Sequence, residues 1–128
     1  MDILAKDITF SLLAKSLEGL ALRQQAVAQN LANVNTPGYR RKDVLFGDVL
    51  QAALTEPKSR EETMRTIQST RFEVVQESGL FFRNDRGGVD LDREAAELAK
   101  TTLRINAVLN LLGKRIALYK QTMNEGGF

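Results

Sequence analysis

Two stretches of this chain repeat apolar residues at alternating steps of three and four, and no other feature limits its fold as much. Phe10, Leu13, Leu17, Leu20, Gln24, Val27, Leu31 and Val34 form the first, and only Gln24 in it is polar. Leu91, Ala95, Leu98, Thr102, Ile105, Leu109, Leu112, Ile116, Tyr119 and Met123 form the second, where only Thr102 breaks the pattern. Such steps gather side chains into one seam along an α-helix, the a/d arrangement of a coiled coil. No proline interrupts either stretch. At ~1.5 Å per residue the helices extend roughly 37 and 50 Å. Gly19 is the weak point of the first helix, while Ala21, Ala26, Ala28 and Ala32 favour it and admit a close neighbour.

The first helix runs into Asn33, Asn35, Thr36, Pro37, Gly38 and Tyr39. Asparagine accepts the backbone conformations that end helices, Pro37 excludes α geometry at Thr36, and Gly38 supplies the positive φ of a type II turn. With Asn30 there are three asparagines close together, whose amides either satisfy helix-end carbonyls or pair with another subunit. Tyr39 stands at the turn exit, its ring placed to anchor against a neighbouring surface. The basic run Arg40, Arg41 and Lys42 has no aromatic interleaving or second basic patch and reads as a solvated group.

The middle of the chain carries weaker signals. Val44 to Leu54 reads as a short amphipathic helix, and Thr55 to Ser69 as an exposed, mobile segment. Phe72–Val75 and Leu80–Phe82 have strand composition and are expected to pair as a hairpin. Asp90 stands at the N-cap of the second long helix, with Asp92 and Glu94 at the positive end of its dipole. Asp85, Asp90, Asp92 and Glu94 lack the spacing of a calcium loop, so capping and solvation explain them and no metal is expected.

Composition removes several function classes. The chain has no Cys, His or Trp, which excludes thiol chemistry, Cys/His metal sites and the usual general base near neutral pH. Its 18 basic and 16 acidic residues nearly balance, so there is no nucleic-acid footprint. Neither a secretory signal nor a membrane-spanning run is visible. No catalytic residue or cofactor is expected.

Both helices are apolar over arcs wider than a two-stranded seam needs: Val108 and Leu111 widen the second, and Ala21 and Ala28 the first. The two seams either cover each other in an antiparallel hairpin or meet the seams of other subunits. A lone hairpin leaves apolar surface wet at ~25 cal/mol per Å², and lateral assembly covers it.

The block Asn30-Leu31-Ala32-Asn33-Val34-Asn35-Thr36-Pro37-Gly38-Tyr39, at the end of an N-terminal helix, resembles the signature of the bacterial flagellar basal-body rod proteins. The run Val89-Asp90-Leu91-Asp92-Arg93-Glu94-Ala95-Ala96-Glu97-Leu98-Ala99-Lys100 is similar to a segment of the short, proximal-rod members of that family. Two details depart from the family pattern: the loop Asn84-Asp85-Arg86-Gly87-Gly88, and Ala95 where methionine is common.

The resemblance implies a structural subunit, exported by the flagellar type III apparatus without signal cleavage and placed in the periplasmic rod of the basal body. Implied partners are other rod proteins, copies of the chain itself and the proteins of the membrane-ring junction. It further implies that Asn33, Asn35, Thr36, Pro37, Gly38 and Tyr39 shape a subunit contact. The tube wall then comes from the helix seams, through Leu13, Leu17, Leu20, Val27 and Leu31 in one and Leu98, Ile105, Leu109, Leu112 and Ile116 in the other. The fold expected is mainly α, two long terminal helices packed as a coiled-coil-like hairpin around a small irregular or β segment. Residues 1–39 and 85–128 make the helical core and 40–84 a partly flexible insert. The competing reading is a cytoplasmic coiled-coil adaptor or flagellar export chaperone, which leaves the Thr-Pro-Gly-Tyr block unexplained.

Overall fold

The computed structural model describes residues 6–45, 51, 55, 59–77 and 90–125 of the chain. Helix α1 spans Ile8–Ala32 and helix α3 Leu91–Asn124. Between them lie strand β1 (Lys42–Leu45), helix α2 (Arg60–Ser69) and strand β2 (Glu73–Gln76). The two long helices pack together and the two strands form a small sheet, so the mainly helical hairpin expected from the seams is the fold observed.

The helix ends follow local chemistry. The Asp7 carboxylate accepts the Thr9 N–H at 3.0 Å, and the Asp90 carboxylate accepts those of Asp92 and Arg93 at 3.0 and 3.4 Å. Each satisfies donors that a first helical turn leaves free. At the other end of α1, the Asn33 amide donates to the Gln29 carbonyl at 2.8 Å.

Three expectations for the middle are corrected. Val44 and Leu45 belong to β1 instead of a helix, because α1 holds that segment extended. The Asn30 amide brackets Lys42, accepting its N–H and donating to its carbonyl, both at 2.8 Å, and Arg23 donates to the Val44 carbonyl at 2.9 Å. Of the remaining residues of that expected helix, Gln51 is helical, and 46–50 and 52–54 lie outside the described ones. Second, β2 pairs with β1 in antiparallel register, Val44 opposite Val74 and Leu45 opposite Glu73. Among the described residues the partner of β2 is therefore β1, and the expected partner Leu80–Phe82 lies outside them. Third, much of the segment expected to be mobile is α2. Ser59 accepts the Glu62 N–H at 3.2 Å, Glu61 and Glu62 suit the helix dipole, and Ile67 is fully buried. Ser-Arg-Glu-Glu is a capping-box sequence, a local signal that the polar composition of the segment masks.

α1 is the central element, with α3 on one side and α2 and β1 on the other. Leu20, Ala26, Val27, Val44 and Ile67 are buried around it. Gly19 has a reason for being small: a Cβ there would lie 2.7 Å from the Phe72 ring. The ring sits on the bare helix backbone, with the Lys15 ammonium 5.9 Å from its centroid.

Candidate functional site

The turn after α1 is built as the sequence suggests. The Tyr39 N–H donates to the Thr36 carbonyl at 3.2 Å, and Gly38 has φ +76°, closing a turn with Pro37 and Gly38 at its centre. Thr36 donates its hydroxyl to the Asn33 side chain at 3.1 Å and its N–H to the Asn33 carbonyl at 3.0 Å. Asn35, Thr36, Pro37 and Gly38 are exposed, Asn33 and Tyr39 half-buried. The Tyr39 hydroxyl is itself buried and has no hydrogen-bond partner among the described residues.

Beneath the turn lies a buried polar knot that sequence reasoning did not find. Glu94 is 0% exposed; one of its oxygens takes the Arg41 Nε–H at 2.6 Å and the other the Asn30 amide at 3.2 Å. Arg41, also buried, reaches Glu77 at 3.5 Å and Asp43 at 3.8 Å, and Arg93 meets Glu77 at 3.3 Å. Burial by itself pushes the Arg41 guanidinium down; the bond and charge of Glu94, with Glu77 and Asp43, reverse this and hold it above its ordinary value. Arg41 is thus no solvated member of a basic run, and Glu94 no solvated dipole partner. Both are corrected by the same fact, that the chain folds back after Gly38 and lays residue 41 against the start of α3. The other acidic positions behave as expected or lie elsewhere: Asp90 caps, Asp92 is exposed, and Asp85 is outside the described residues.

A second polar clamp pins the far end of the helix pair. Asp7, 5% exposed, takes Arg115 Nε–H at 2.7 Å, Arg115 Nη2–H at 3.1 Å and the Tyr119 hydroxyl at 3.0 Å. The bidentate Arg115 bond, opposed by burial and aided by Tyr119, lowers the Asp7 carboxyl from 3.8 to about 2. Burial, and then the bond to Asp7, pushes the Tyr119 phenol up.

The clamps set which stripe of α3 faces α1. The less exposed positions are Glu94, Leu98, Thr101, Ile105, Val108, Leu112, Arg115, Tyr119 and Thr122, again at steps of three and four, with Glu97 flanking them. This stripe shares Leu98, Ile105, Leu112 and Tyr119 with the sequence seam, then departs from it by one residue at every other step. Leu109 and Ile116 consequently lie on the outer flank, 48% and 37% exposed. On α1, Leu20 and Val27 are buried and Leu13, Leu17 and Leu31 half-buried. The polar residues Glu94, Thr101 and Arg115 hid the contact stripe from a search for apolar periodicity.

A shallow groove of about 260 Å³ opens between α1 and the strands, lined by Leu22, Gln25, Ala26, Gln29, Lys42 and Val74. Lys42 is its one ionisable group, so it assembles no acid–base pair. Among the described residues no cluster of carboxylates is placed to hold a metal, and no helix is long and apolar enough to cross a membrane.

Residues 17–40, the second half of α1 with its turn, match the family model described as flagella basal body rod protein. The flagellar basal body rod protein FlgB of Salmonella typhimurium is 32% identical over 123 residues, covering 84% of this chain and 86% of that one. FlgB of Bacillus subtilis is 24% identical, with 92% and 95% covered, and FlgB of Escherichia coli is 27% identical, with 83% and 86% covered.

Proposed function

The chain belongs to the FlgB family of flagellar basal body rod proteins, and we propose that it is a proximal subunit of the rod. In this reading it assembles through its terminal helices into a helical tube and transmits torque across the periplasm. The observation that carries it is the state of α3. Leu103 is 71% exposed, and Leu109, Leu111 and Leu118 are about half exposed. A helix apolar on nearly every side is stable when surrounded, and one subunit covers one side. Contacts between non-identical surfaces whose rotation does not close generate an open helical array.

The helical core, residues 1–39 and 85–128, is proposed as the inner tube, and 40–84 as its outer insert. The exposed turn Asn35-Thr36-Pro37-Gly38, with Asn33 and Tyr39 at its base, serves as a subunit contact. Partners are other rod proteins, further copies of this chain and the membrane-ring junction. Delivery is by the flagellar type III apparatus, with no cleaved signal peptide. The role is mechanical: parallel packed contacts carry torque and no reactive group is required. Similarity to rod proteins over most of the chain favours this over a coiled-coil adaptor or export chaperone.

Mass spectrometry of salt-washed, detergent-extracted basal bodies tests the reading. The chain is expected to remain with them; recovery from the cytosol alone overturns it. The turn has its own test. Replacing Pro37 and Gly38 together by alanine should leave expression intact and impair motility, and normal swimming would remove the turn from the contact.

A further inference from the structure

The turn after α1 takes its shape from local bonds, but not its place. Thr36 to Asn33 and Tyr39 to Thr36 fold residues 33–39 on themselves, and such bonds form whatever lies beyond them. What fixes the turn on the subunit is its neck. The chain leaves α1 at Asn33 and is back against it at Lys42. There the Asn30 side chain accepts the Lys42 N–H and donates to the Lys42 carbonyl, both at 2.8 Å. One fully buried amide thus closes the loop 31–41.

The neck is completed from the other long helix. Glu94, in the first turn of α3, places one carboxylate oxygen 3.2 Å from the same Asn30 amide nitrogen and the other 2.6 Å from Arg41 Nε. Asn30 precedes the turn and Arg41 follows it, so both sides of the neck end on a single carboxylate. The Asp90 carbonyl accepts the Glu94 N–H at 2.9 Å, and its side chain caps the helix, so Glu94 leaves a helix start that is already ordered. Arg41 continues to Glu77 and Asp43, tying the exit of the loop to the sheet. With α3 lifted away, Asn30 keeps Lys42 and Arg41 keeps Glu77 and Asp43. Both lose the anion that buries them, and a guanidinium without it returns to water.

We infer that Glu94 is a positioning residue, which holds the Asn33–Tyr39 turn in place only while α3 is docked on α1. The inference rests on the reading of the turn as a subunit contact and adds what controls it. The turn belongs to the N-terminal part of the chain, yet a carboxylate 53 residues beyond Arg41 completes its placement. A chain whose terminal helices are apart has the turn but lets it swing, so contact with a neighbour must also order the loop. Closing the hairpin orders it beforehand, and the contact is then presented by subunits whose two ends have met.

The chain has no cysteine, so nitroxides attach cleanly at Asn35→Cys in the turn and Ala96→Cys on α3, both exposed positions. Their distance distribution in the purified full-length subunit should be narrow. Glu94→Gln should broaden it while helical circular dichroism is kept. Gly19→Ala is the control: it weakens the fold at the Phe72 ring, away from the neck, and its folded molecules should keep the narrow distribution. The second readout uses unlabelled chains in cells lacking the native one, grown where both purified variants are fully folded. Glu94→Gln should enter basal bodies at least about fivefold less than Gly19→Ala, the lower end of ordinary couplings between sites. A Glu94→Gln distribution as narrow as the parent's, or incorporation equal to that of Gly19→Ala, overturns the inference. If Glu94→Gln lacks helical circular dichroism, Asn30→Ala, which opens the neck and spares the Arg41–Glu94 pair, is read in the same two ways. Basal bodies without the parent chain overturn the rod reading, and normal swimming of the Pro37 and Gly38 double variant the turn reading. The distance readout on the purified subunit depends on neither.

Discussion

α1 and α3 are both long, uninterrupted and striped at the same steps, yet they meet opposite surroundings. α1 lies between α3 on one side and α2 with β1 on the other, and Leu20, Ala26 and Val27 are buried there. α3 touches α1 along a single stripe and presents Leu103, Leu111 and Leu118 to solvent. Their stripes look alike because periodicity records how many faces a helix has to cover, not which molecule covers them. Their polar residues differ in a more informative way. On α3 the charged members of the contact stripe sit near its two ends, Glu94 against Asn30 and Arg41, and Arg115 against Asp7. Leucines slide over alanines at little cost, but a buried carboxylate that loses its guanidinium does not. The clamps therefore set the register of the pair and leave the outer flank free to be shared.

The comparison breaks most readily at Glu94. Glu94→Ala leaves the Arg41 guanidinium buried without its closest partner and strips Asn30 of one acceptor, at an expected loss of about 3–5 kcal/mol. A denaturant midpoint unchanged from the parent would show that the knot does not hold the hairpin. Next is Gly19→Ala, which drives a Cβ into the Phe72 ring. Overpacking of this kind costs about 1–3 kcal/mol, and adding Phe72→Leu should recover part of it. If the single variant melts with the parent, the ring does not rest on α1.

Asp7 sharpens the comparison through pH. Its folded pKa of about 2 lies below the ordinary 3.8, so its contribution is complete above that ordinary value and is lost as pH falls toward 2. Allowing for the partial exposure of Arg115, this amounts to about 1–2 kcal/mol. Asp7→Asn should flatten that part of the stability–pH curve, and an unaltered slope would assign it to other carboxyls. Smallest is Gly113→Ala, expected to stabilise the isolated subunit by about 0.5–1 kcal/mol, since the new methyl meets nothing and the helix gains propensity. Destabilisation there would mean that the space beside Gly113 is already occupied within the subunit.

Local rules reach far along this chain. Asp90 announces the start of α3, and Asn33 through Gly38 announce the end of α1, because caps and turns are decided within four or five residues. Ser59 with Glu62 is an equally local signal, masked by a surrounding polar composition that suggests disorder. Pairing is another matter. Phe72–Val75 has strand character, but nothing near it says that Lys42–Leu45 is its partner, since that choice depends on Asn30 and Arg23 holding β1 extended from α1. Arg41 reads as one of three solvated cations until the fold sets it beside Glu94.

What the sequence determines by itself is the inventory: two long helices, a tight turn between the first and the insert, and more apolar surface than one hairpin covers. What the tertiary structure decides is the phase. Two adjacent stripes of α3 compete, differing by one residue at every second step, and the one richer in apolar residues is not the one that faces α1. The choice falls to Glu94 and Arg115, whose partners Asn30, Arg41 and Asp7 are distant in the chain. Apolar contacts are nearly indifferent to a rotation of the helix, whereas buried charges are satisfied in only one orientation.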